Sequence, residues 1–218
     1  ETRDTIAPDD SLTSHGTHVA GIIASNGDVV GVSPGAKIVA IKVCDFQGKC
    51  QGSDILAGID YCNANSVDYN ISVISGSLGD NEEYNAETCP SVFDNSFEIS
   101  RQLKITNVFS SGNNYYENGI SYPACSPYTI AVGASDGVTS VAPFTNKGSL
   151  LDVLAPGVDI YSTKRNGLYG ELSGTSQATP HVAGAVALLK QRNTLLNVTK
   201  NNAEIKEALK QSGTDVAD

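Results

Sequence analysis

Apolar positions along this chain follow two alternating periods: short runs rich in β-branched residues are separated by longer segments in which apolar residues recur at helical spacing. This alternation is typical of a parallel sheet covered by helices on both faces. The predicted strands are 36–43, 71–78, 105–112, 129–135 and 151–157. The predicted helices are 15–25, 53–65, 91–103, 176–192 and 202–211. We therefore expect an α/β fold with a mostly parallel central sheet, formed as a single domain by residues 1–218.

The last predicted helix carries both a start signal and a stop signal. Asn201 can cap the first turn while Glu204, three residues later, reaches back to the cap. Gly213 follows the last turn, where glycine commonly ends a helix.

The charge balance narrows the set of partners. The chain has 14 Lys and Arg against 24 Asp and Glu, for a net charge of -10 at pH 7. Such a chain repels polyanions and offers no basic stripe to phosphates, so we expect no nucleic-acid partner. No apolar run approaches the roughly 20 residues that cross a bilayer, so we also expect no membrane span.

The five cysteines favour disulfides over a metal site. They lack the C-x-x-C pairs of zinc ribbons and thiol redox centres. Cys44 and Cys50 bracket a short loop, while Cys89 and Cys125 lie near prolines in loop-like sequence. We expect two disulfides and a free Cys62, an arrangement typical of an oxidising compartment.

Two asparagines match the acceptor pattern for N-glycosylation. Asn70 lies in "NIS" and Asn197 in "NVT". Together with the cysteines, they predict a secreted or extracellular protein.

Two residues open predicted helices at places suited to chemistry. Ser176 lies where the unpaired N–H groups of a helix start favour negative charge, which suits a hydroxyl that attacks a carbonyl. Serine is also a common N-cap residue, so Ser176 alone does not decide. His15 follows Ser14 at another helix start and fits either a general base or a residue of the capping region.

The longer strings around these residues resemble a known family. "SHGTHVAG" (14–21) and "SGTSQATPHVAG" (173–184) resemble the histidine and serine signatures of the subtilisin-like serine proteases, the subtilases. Ser176 lies 161 positions after His15, close to the roughly 160 positions in subtilisin. Between them, "GSLGD", "SGNN" and "SYPA" resemble, in the family's order, its substrate-lining, oxyanion-asparagine and cis-proline segments.

The resemblance implies a subtilisin-like three-layer sandwich and a serine endopeptidase that cleaves peptide bonds through an acyl-enzyme. Ser176 would be the nucleophile and His15 the general base, because a serine hydroxyl is a poor nucleophile until an imidazole takes its proton. Asn113 would complete the oxyanion hole with the backbone N–H of Ser176. No cofactor is implied for catalysis.

The expected substrate is a polypeptide that binds in extended form between two segments of the protein. The family resemblance and the small side chains of these segments predict a set of substrate-binding residues. They are Gly48, Lys49, Cys50, Ser77, Leu78, Gly79 and Gly112.

The chain does not clearly contain the third member of the triad. A catalytic histidine needs an orienting carboxylate, and the family's aspartate lies roughly 30 residues before the histidine. Only 14 residues precede His15, and Asp4 lacks the glycine of the family motif. We therefore expect the strand with the aspartate, and the C-terminal end of the domain, to lie outside the chain as given. The expected partner is a propeptide or missing N-terminal segment.

Two other functions compete with the peptidase. A subtilase-like domain without its aspartate would be catalytically incompetent and act in binding, since loss of the orienting carboxylate costs about 10⁴-fold in activity. "GASDG" (133–137) also matches the G-x-S-x-G elbow of α/β-hydrolase esterases, with Asp152 and His181 following Ser135 in the required order. The β-branched run after Ser135 argues against the elbow, which requires a helix there.

Metal binding has one candidate segment. The family commonly binds structural calcium, and the acidic stretch "DNEEYNAE" (80–87) could supply oxygen ligands, although an acidic loop is often only solvated. His18 lies three residues after His15, but no third ligand is evident, so we interpret it as structural.

Overall fold

The structure is a computed structural model that describes residues 13–137, 140–198 and 200–215. Its helices are α1 (His15–Ala24), α2 (Gly52–Ala64), α3 (Asp94–Gln102), α4 (Thr175–Leu195) and α5 (Asn202–Ser212), with one 3₁₀ turn at Arg165–Gly167. Its strands are β1 (Val73–Gly76), β2 (Thr106–Ser110), β3 (Thr129–Ser135), β4 (Val153–Pro156), β5 (Ile160–Thr163) and β6 (Tyr169–Leu172).

The central sheet is parallel and has the strand order β1-β2-β3-β4. Its two inner strands, β2 and β3, are buried at every position, which explains their nearly continuous apolar and small residues. In the ladder, Val108 lies opposite Ile130, and Val132 lies opposite Val153. Parallel pairing brings the carboxyl ends of all four strands to one edge, which is where sites form in such sheets.

Helices cover both faces of this sheet, which gives three layers. On one face, α4 contacts all four strands, and its Ala178, Val182 and Val186 pack against Val108 and Val132. On the other face, α2 and α3 pack through a core of aromatic and aliphatic side chains. Its members include Ile59, Phe93, Phe97, Phe109, Ile120 and Tyr122. The predicted α/β three-layer fold is therefore confirmed.

Residues 36–43 are a predicted strand that the structure does not contain. No strand is assigned there in the described part of the chain, and Ile38 and Val39 remain 45% and 38% exposed. The side chains of Ile41 and Val43 lie against α2, where Gly58 leaves room for them. A β-branched run forms a strand only when a neighbouring strand accepts its hydrogen bonds, and this one has no such neighbour among the described residues.

The hairpin of β5 and β6 was not predicted from the sequence. The two strands pair antiparallel, with Ile160 opposite Leu172. Asn166 and Gly167 have positive φ angles of 61° and 70° and turn the chain between the strands. The hairpin lies against α1 and holds it in place.

Several local predictions are confirmed. Disulfides join Cys44 to Cys50 and Cys89 to Cys125, while Cys62 is free and buried. Asn201 and Glu204 form the reciprocal capping box at the start of α5. The peptide bond between Tyr122 and Pro123 is cis.

Within the described residues, none of the helices combines the length and the apolar character needed to cross a membrane.

Candidate active site

Ser176 lies in the first turn of α4, at the carboxyl edge of the sheet. The helix begins after Gly174, whose φ of 153° suits glycine and whose N–H donates to the Gly157 carbonyl at 2.7 Å. A Cβ at Gly174 would come within 3.1 Å of Gln177 Oε1, so the glutamine side chain would have to shift slightly. The backbone N–H of Ser176 meets no acceptor in the described part of the chain and is available to an incoming oxygen.

Pro180 explains how the turn that carries Ser176 is anchored. A proline has no N–H, so the Ser176 carbonyl four residues earlier loses its helical hydrogen bond. The Ser77 hydroxyl takes that place and donates to the Ser176 carbonyl at 2.7 Å, while the Ser176 hydroxyl donates to the Ser77 carbonyl at 3.4 Å. The helix break thus ties Ser176 to the loop after β1.

This arrangement predicts a rescue experiment. Ser77→Ala leaves the Ser176 carbonyl unpaired, and at about 1 kcal/mol we expect kcat/KM to fall by about fivefold. In the Ser77→Ala/Pro180→Ala double variant, the N–H of residue 180 can bond to that carbonyl, so part of the loss should be recovered. Steady-state peptide hydrolysis by the wild type, Ser77→Ala, Pro180→Ala and the double variant measures the coupling between the two residues. Strictly additive effects would show that the two residues act separately.

Asn113 is oriented by Thr175. Its side-chain carbonyl accepts from the Thr175 N–H at 2.8 Å and from the Thr175 hydroxyl at 2.9 Å. The same hydroxyl accepts from the N–H of Gly112 at 3.3 Å. Because Asn113 Oδ1 is occupied, its Nδ2 is left as the donor that an oxyanion can use. No pattern in the sequence predicted this role of Thr175, since a threonine next to Ser176 has no special spacing.

His15 is the first residue of α1 and is half-buried. It lines the same cleft as Asn113 and Ser176, and the other lining residues are Thr13, Leu172, Ser173 and Gln177. The fold thus brings together three side chains that are far apart in the sequence. A base, a hydroxyl and an amide donor around one cleft are the groups that acyl transfer needs.

The β5–β6 hairpin positions α1 and therefore His15. The Ser162 hydroxyl donates to the His18 carbonyl at 2.9 Å, and the Thr163 hydroxyl donates to the Thr17 carbonyl at 2.9 Å. The buried His18 ring places Nε2 3.0 Å from the Ile160 carbonyl and 3.1 Å from the Gly170 carbonyl. His18 is thus a structural histidine, and it links α1 to both strands of the hairpin.

We expect His18 to make the protein less stable in acid. Burial lowers the pKa of this histidine from its ordinary value of 6.5, and its buried Nδ1 has no acceptor among the described residues, so the protein favours the neutral ring. A lowered folded pKa means that stability is complete above pH 6.5 and is lost as the pH falls towards the folded pKa. Thermal unfolding between about pH 8 and about pH 5 measures this.

His18→Gln is the matched variant for this test, because a glutamine amide can donate to the same carbonyls without titrating. We expect its melting temperature to fall less on acidification than that of the wild type. His181→Gln tests the same argument at a second site, because burial also lowers the pKa of His181, whose Nδ1 lies near the Gln177 carbonyl within α4. Parallel curves for His18→Gln and the wild type would contradict the prediction.

The predicted substrate-binding residues fall into two groups. Ser77 contacts Ser176, the Leu78 carbonyl accepts from the Ser110 hydroxyl at 3.2 Å, and Gly79 lies near Ser121 and Tyr122, so this segment borders the site. Gly112 adjoins Thr175, with a φ of 107°.

The second group consists of Gly48, Lys49 and Cys50. These residues form a loop closed by the Cys44–Cys50 disulfide and are not part of the lining of the cleft.

The esterase constellation is not assembled. Ser135 is buried at the end of β3 and pairs with Val141, and its described surroundings contain no helix start. Asp152 accepts from the N–H of Ala131 in β3 and forms an ion pair with Lys206 at 2.6 Å. Ser135 is the last residue of the same strand, four positions further on. His181 lies within α4. The hypothesis of a Ser135 nucleophile is therefore wrong.

In the acidic segment 80–87, the Asp80 carboxylate takes part in hydrogen bonds within the protein. Asp80 Oδ1 accepts from the N–H groups of Glu82 and Tyr122, and its Oδ2 accepts from the Tyr84 hydroxyl. These bonds use the carboxylate to shape the loop. No group of three or more His, Cys, Asp or Glu side chains able to hold a metal occurs in the described ranges.

Comparison with known proteins agrees with this geometry. The model of the Subtilase family matches residues 1–218. The chain belongs to the subtilase family. Among curated subtilases, the subtilisin amylosacchariticus of Bacillus subtilis subsp. amylosacchariticus is 41% identical over 209 residues, which are 93% of this chain and 51% of the relative. The subtilisin of Bacillus pumilus is 40% identical over 209 residues, or 93% of this chain and 70% of the relative.

Solved structures of other proteases share the fold. The prenylagaramide maturation protease PagA superposes with a TM-score of 0.80 at 31% identity, over 94% of this chain and 74% of that chain. A cold-adapted subtilisin-like serine proteinase gives a TM-score of 0.77 at 30% identity, over 92% and 68%. This subtilase chain spans about half the length of several curated relatives it matches.

Proposed function

We propose that this chain forms the catalytic centre of a serine endopeptidase. The observation that carries the proposal is the shared cleft of His15, Ser176 and Asn113, in a chain whose family consists of serine proteases. Peptides are the proposed substrates, bound in extended form along the segment from Ser77 to Gly79. The small Gly79 allows another backbone to approach closely.

In the proposed mechanism, His15 takes the proton of the Ser176 hydroxyl as its oxygen attacks the carbonyl carbon of the scissile bond. The oxygen of the tetrahedral intermediate accepts from the Ser176 N–H and from Asn113 Nδ2. His15 then gives its proton to the leaving amine, and the acyl group stays on Ser176. A water molecule, deprotonated by His15, releases the acid and restores the hydroxyl.

The carboxylate that orients His15 is proposed to come from a segment outside the described residues. The acidic residues before His15, which are Glu1, Asp4, Asp9 and Asp10, all lie outside them. The β-branched segment 36–43 supports an additional strand, because no strand is assigned to it in the described part of the chain and its Ile38 and Val39 are exposed. A propeptide or N-terminal segment is the proposed partner.

A fluorophosphonate probe on the full-length protein tests the proposed function. This reagent phosphonylates only an activated serine, so we expect one labelled peptide that contains Ser176 and a parallel loss of peptide hydrolysis. Protein treated with phenylmethylsulfonyl fluoride before the probe is added serves as the competition control. Label on another serine would contradict the assigned nucleophile.

A binding domain without catalysis is the second candidate, because the chain lacks a clear Asp-Ser/Thr-Gly motif before His15. In that case the folded full-length protein would bind peptides but neither react with the probe nor hydrolyse an amide. Secretion and a structural calcium ion also remain proposals. A chelator that leaves the melting temperature unchanged would contradict calcium binding.

A further inference from the structure

Two exposed turns on the side of the domain away from the cleft share an unusual combination of features. Asn70 follows α2 and Asn197 follows α4, and both have a φ of 52°. The Asn70 N–H donates to the Val67 carbonyl, and the Asn197 N–H donates to the Thr194 carbonyl, three residues back in each case. The N–H of the residue after each asparagine donates to the carbonyl five residues before it, which belongs to Ser66 in the first turn and to Asn193 in the second. This is the Schellman pattern of a helix end, with the asparagine in its left-handed position.

Helix termination explains the asparagines but not the residues that follow them. Asparagine tolerates a left-handed conformation, so it can replace glycine at such a position. Asn81 and Asn166 also have positive φ angles and are exposed, yet neither is followed two residues later by serine or threonine. Asn70 is followed by Ser72 and Asn197 by Thr199. The Ser72 hydroxyl makes no hydrogen bond within the described part of the chain.

The position of both turns leaves the catalytic cleft free. Ser176 is at the first turn of α4, and Asn197 lies just beyond the last turn of this helix of 21 residues, about 30 Å away. Lys190, near the same end of α4, donates to the carbonyls of Ser72 and Lys104. Asn70 therefore lies at the same end of the domain as Asn197.

Exposed apolar side chains surround each asparagine. Val67 is 86% exposed beside Asn70, and Leu195 is 77% exposed beside Asn197. Tyr69, Leu196 and Val198 are exposed as well. Apolar groups in such numbers at two neighbouring helix ends favour association unless something covers them. A large polar substituent on each asparagine would provide that cover.

We propose that Asn70 and Asn197 are N-glycosylated, and that the two glycans cover the end of the domain opposite the active site. The proposal rests on export, as proposed above, and is independent of catalysis. The co-reactant is an oligosaccharide carried on a lipid diphosphate. The side-chain amide nitrogen forms a bond to C1 of the sugar and loses a proton to a base of the transferase. The bond from C1 to the diphosphate oxygen breaks, and the lipid diphosphate leaves.

The test uses the full-length protein, both from its natural source and secreted by a eukaryotic host. Peptide N-glycosidase treatment in heavy-oxygen water converts each glycosylated asparagine to a labelled aspartate, which peptide mass spectrometry locates. We expect label at Asn70 and Asn197 in both preparations. Unmodified asparagine at both positions overturns the proposal, and label at only one overturns it for the other.

Matched variants separate recognition of the acceptor pattern from effects on folding. Ser72→Ala should lose the glycan on Asn70, whereas Ser72→Thr should keep it. Asn81→Gln is the control, because Asn81 is exposed and left-handed but lies outside an acceptor pattern, and its glycan mass should equal that of the wild type. Peptide hydrolysis by the same samples should not change with glycan removal, whereas light scattering should show more association. A changed hydrolysis rate would contradict the placement away from the cleft.

Discussion

Replacing Ser176 with alanine is expected to reduce peptide hydrolysis by about 10⁶-fold, the scale at which removal of the nucleophile acts in subtilisin. Among the described residues, Ser176 carries the only α4 hydroxyl that lines the cleft, and the variant lacks it. Peptide turnover by the full-length protein, measured to the limit set by the uncatalysed reaction, checks this prediction.

The fold of the Ser176→Ala variant should be retained, since the hydroxyl makes only a 3.4 Å hydrogen bond to the Ser77 carbonyl. Ser173→Ala is the matched control: this exposed serine also lines the cleft, but its hydroxyl bonds to Asp159. It should retain most of the activity. Full activity in Ser176→Ala, or an equal loss in Ser173→Ala, would mean that the nucleophile has been misassigned.

The sequence predicted best those elements whose partners lie on both sides of them. Strand β3 spans the predicted residues 129–135, because it lies between β2 and β4 and is buried throughout. Segment 36–43 has a similar composition but forms no strand, since no strand of the described chain lies in register beside it. The composition of a segment therefore indicates a preference for a strand, and the neighbouring strands decide whether the strand forms.

The candidate site shows the same division. His15, Asn113 and Ser176 stand out because their types and order match a family, and the structure places all three around one cleft. The residues that hold these three side chains in place have no comparable pattern in the sequence. The Ser77 hydroxyl matters because Pro180 frees a carbonyl 99 positions away from it in sequence. No local pattern could reveal that contact.

Asn113→Ala is the second prediction with a large effect. We expect kcat to fall by about 10²- to 10³-fold, equivalent to about 2.7–4 kcal/mol, which is the measured cost of losing the corresponding kind of donor in subtilisin. KM should change little, because the developing oxyanion uses this donor more strongly than the ground-state carbonyl does. Steady-state kinetics with a peptide amide substrate separates the two parameters.

The orientation of Asn113 supplies a sharper comparison. Asn113→Asp keeps an oxygen that can accept from the Thr175 N–H and hydroxyl, but it replaces the Nδ2 donor with a second, negatively charged oxygen. Repulsion of the oxyanion should make this variant at least as slow as Asn113→Ala, although its contact with Thr175 survives. Thr175→Val, in contrast, keeps the donor and loosens only its orientation, so a smaller fall in kcat is expected. If Asn113→Asp retained wild-type kcat, the amide would be acting through Thr175 and not on the transition state.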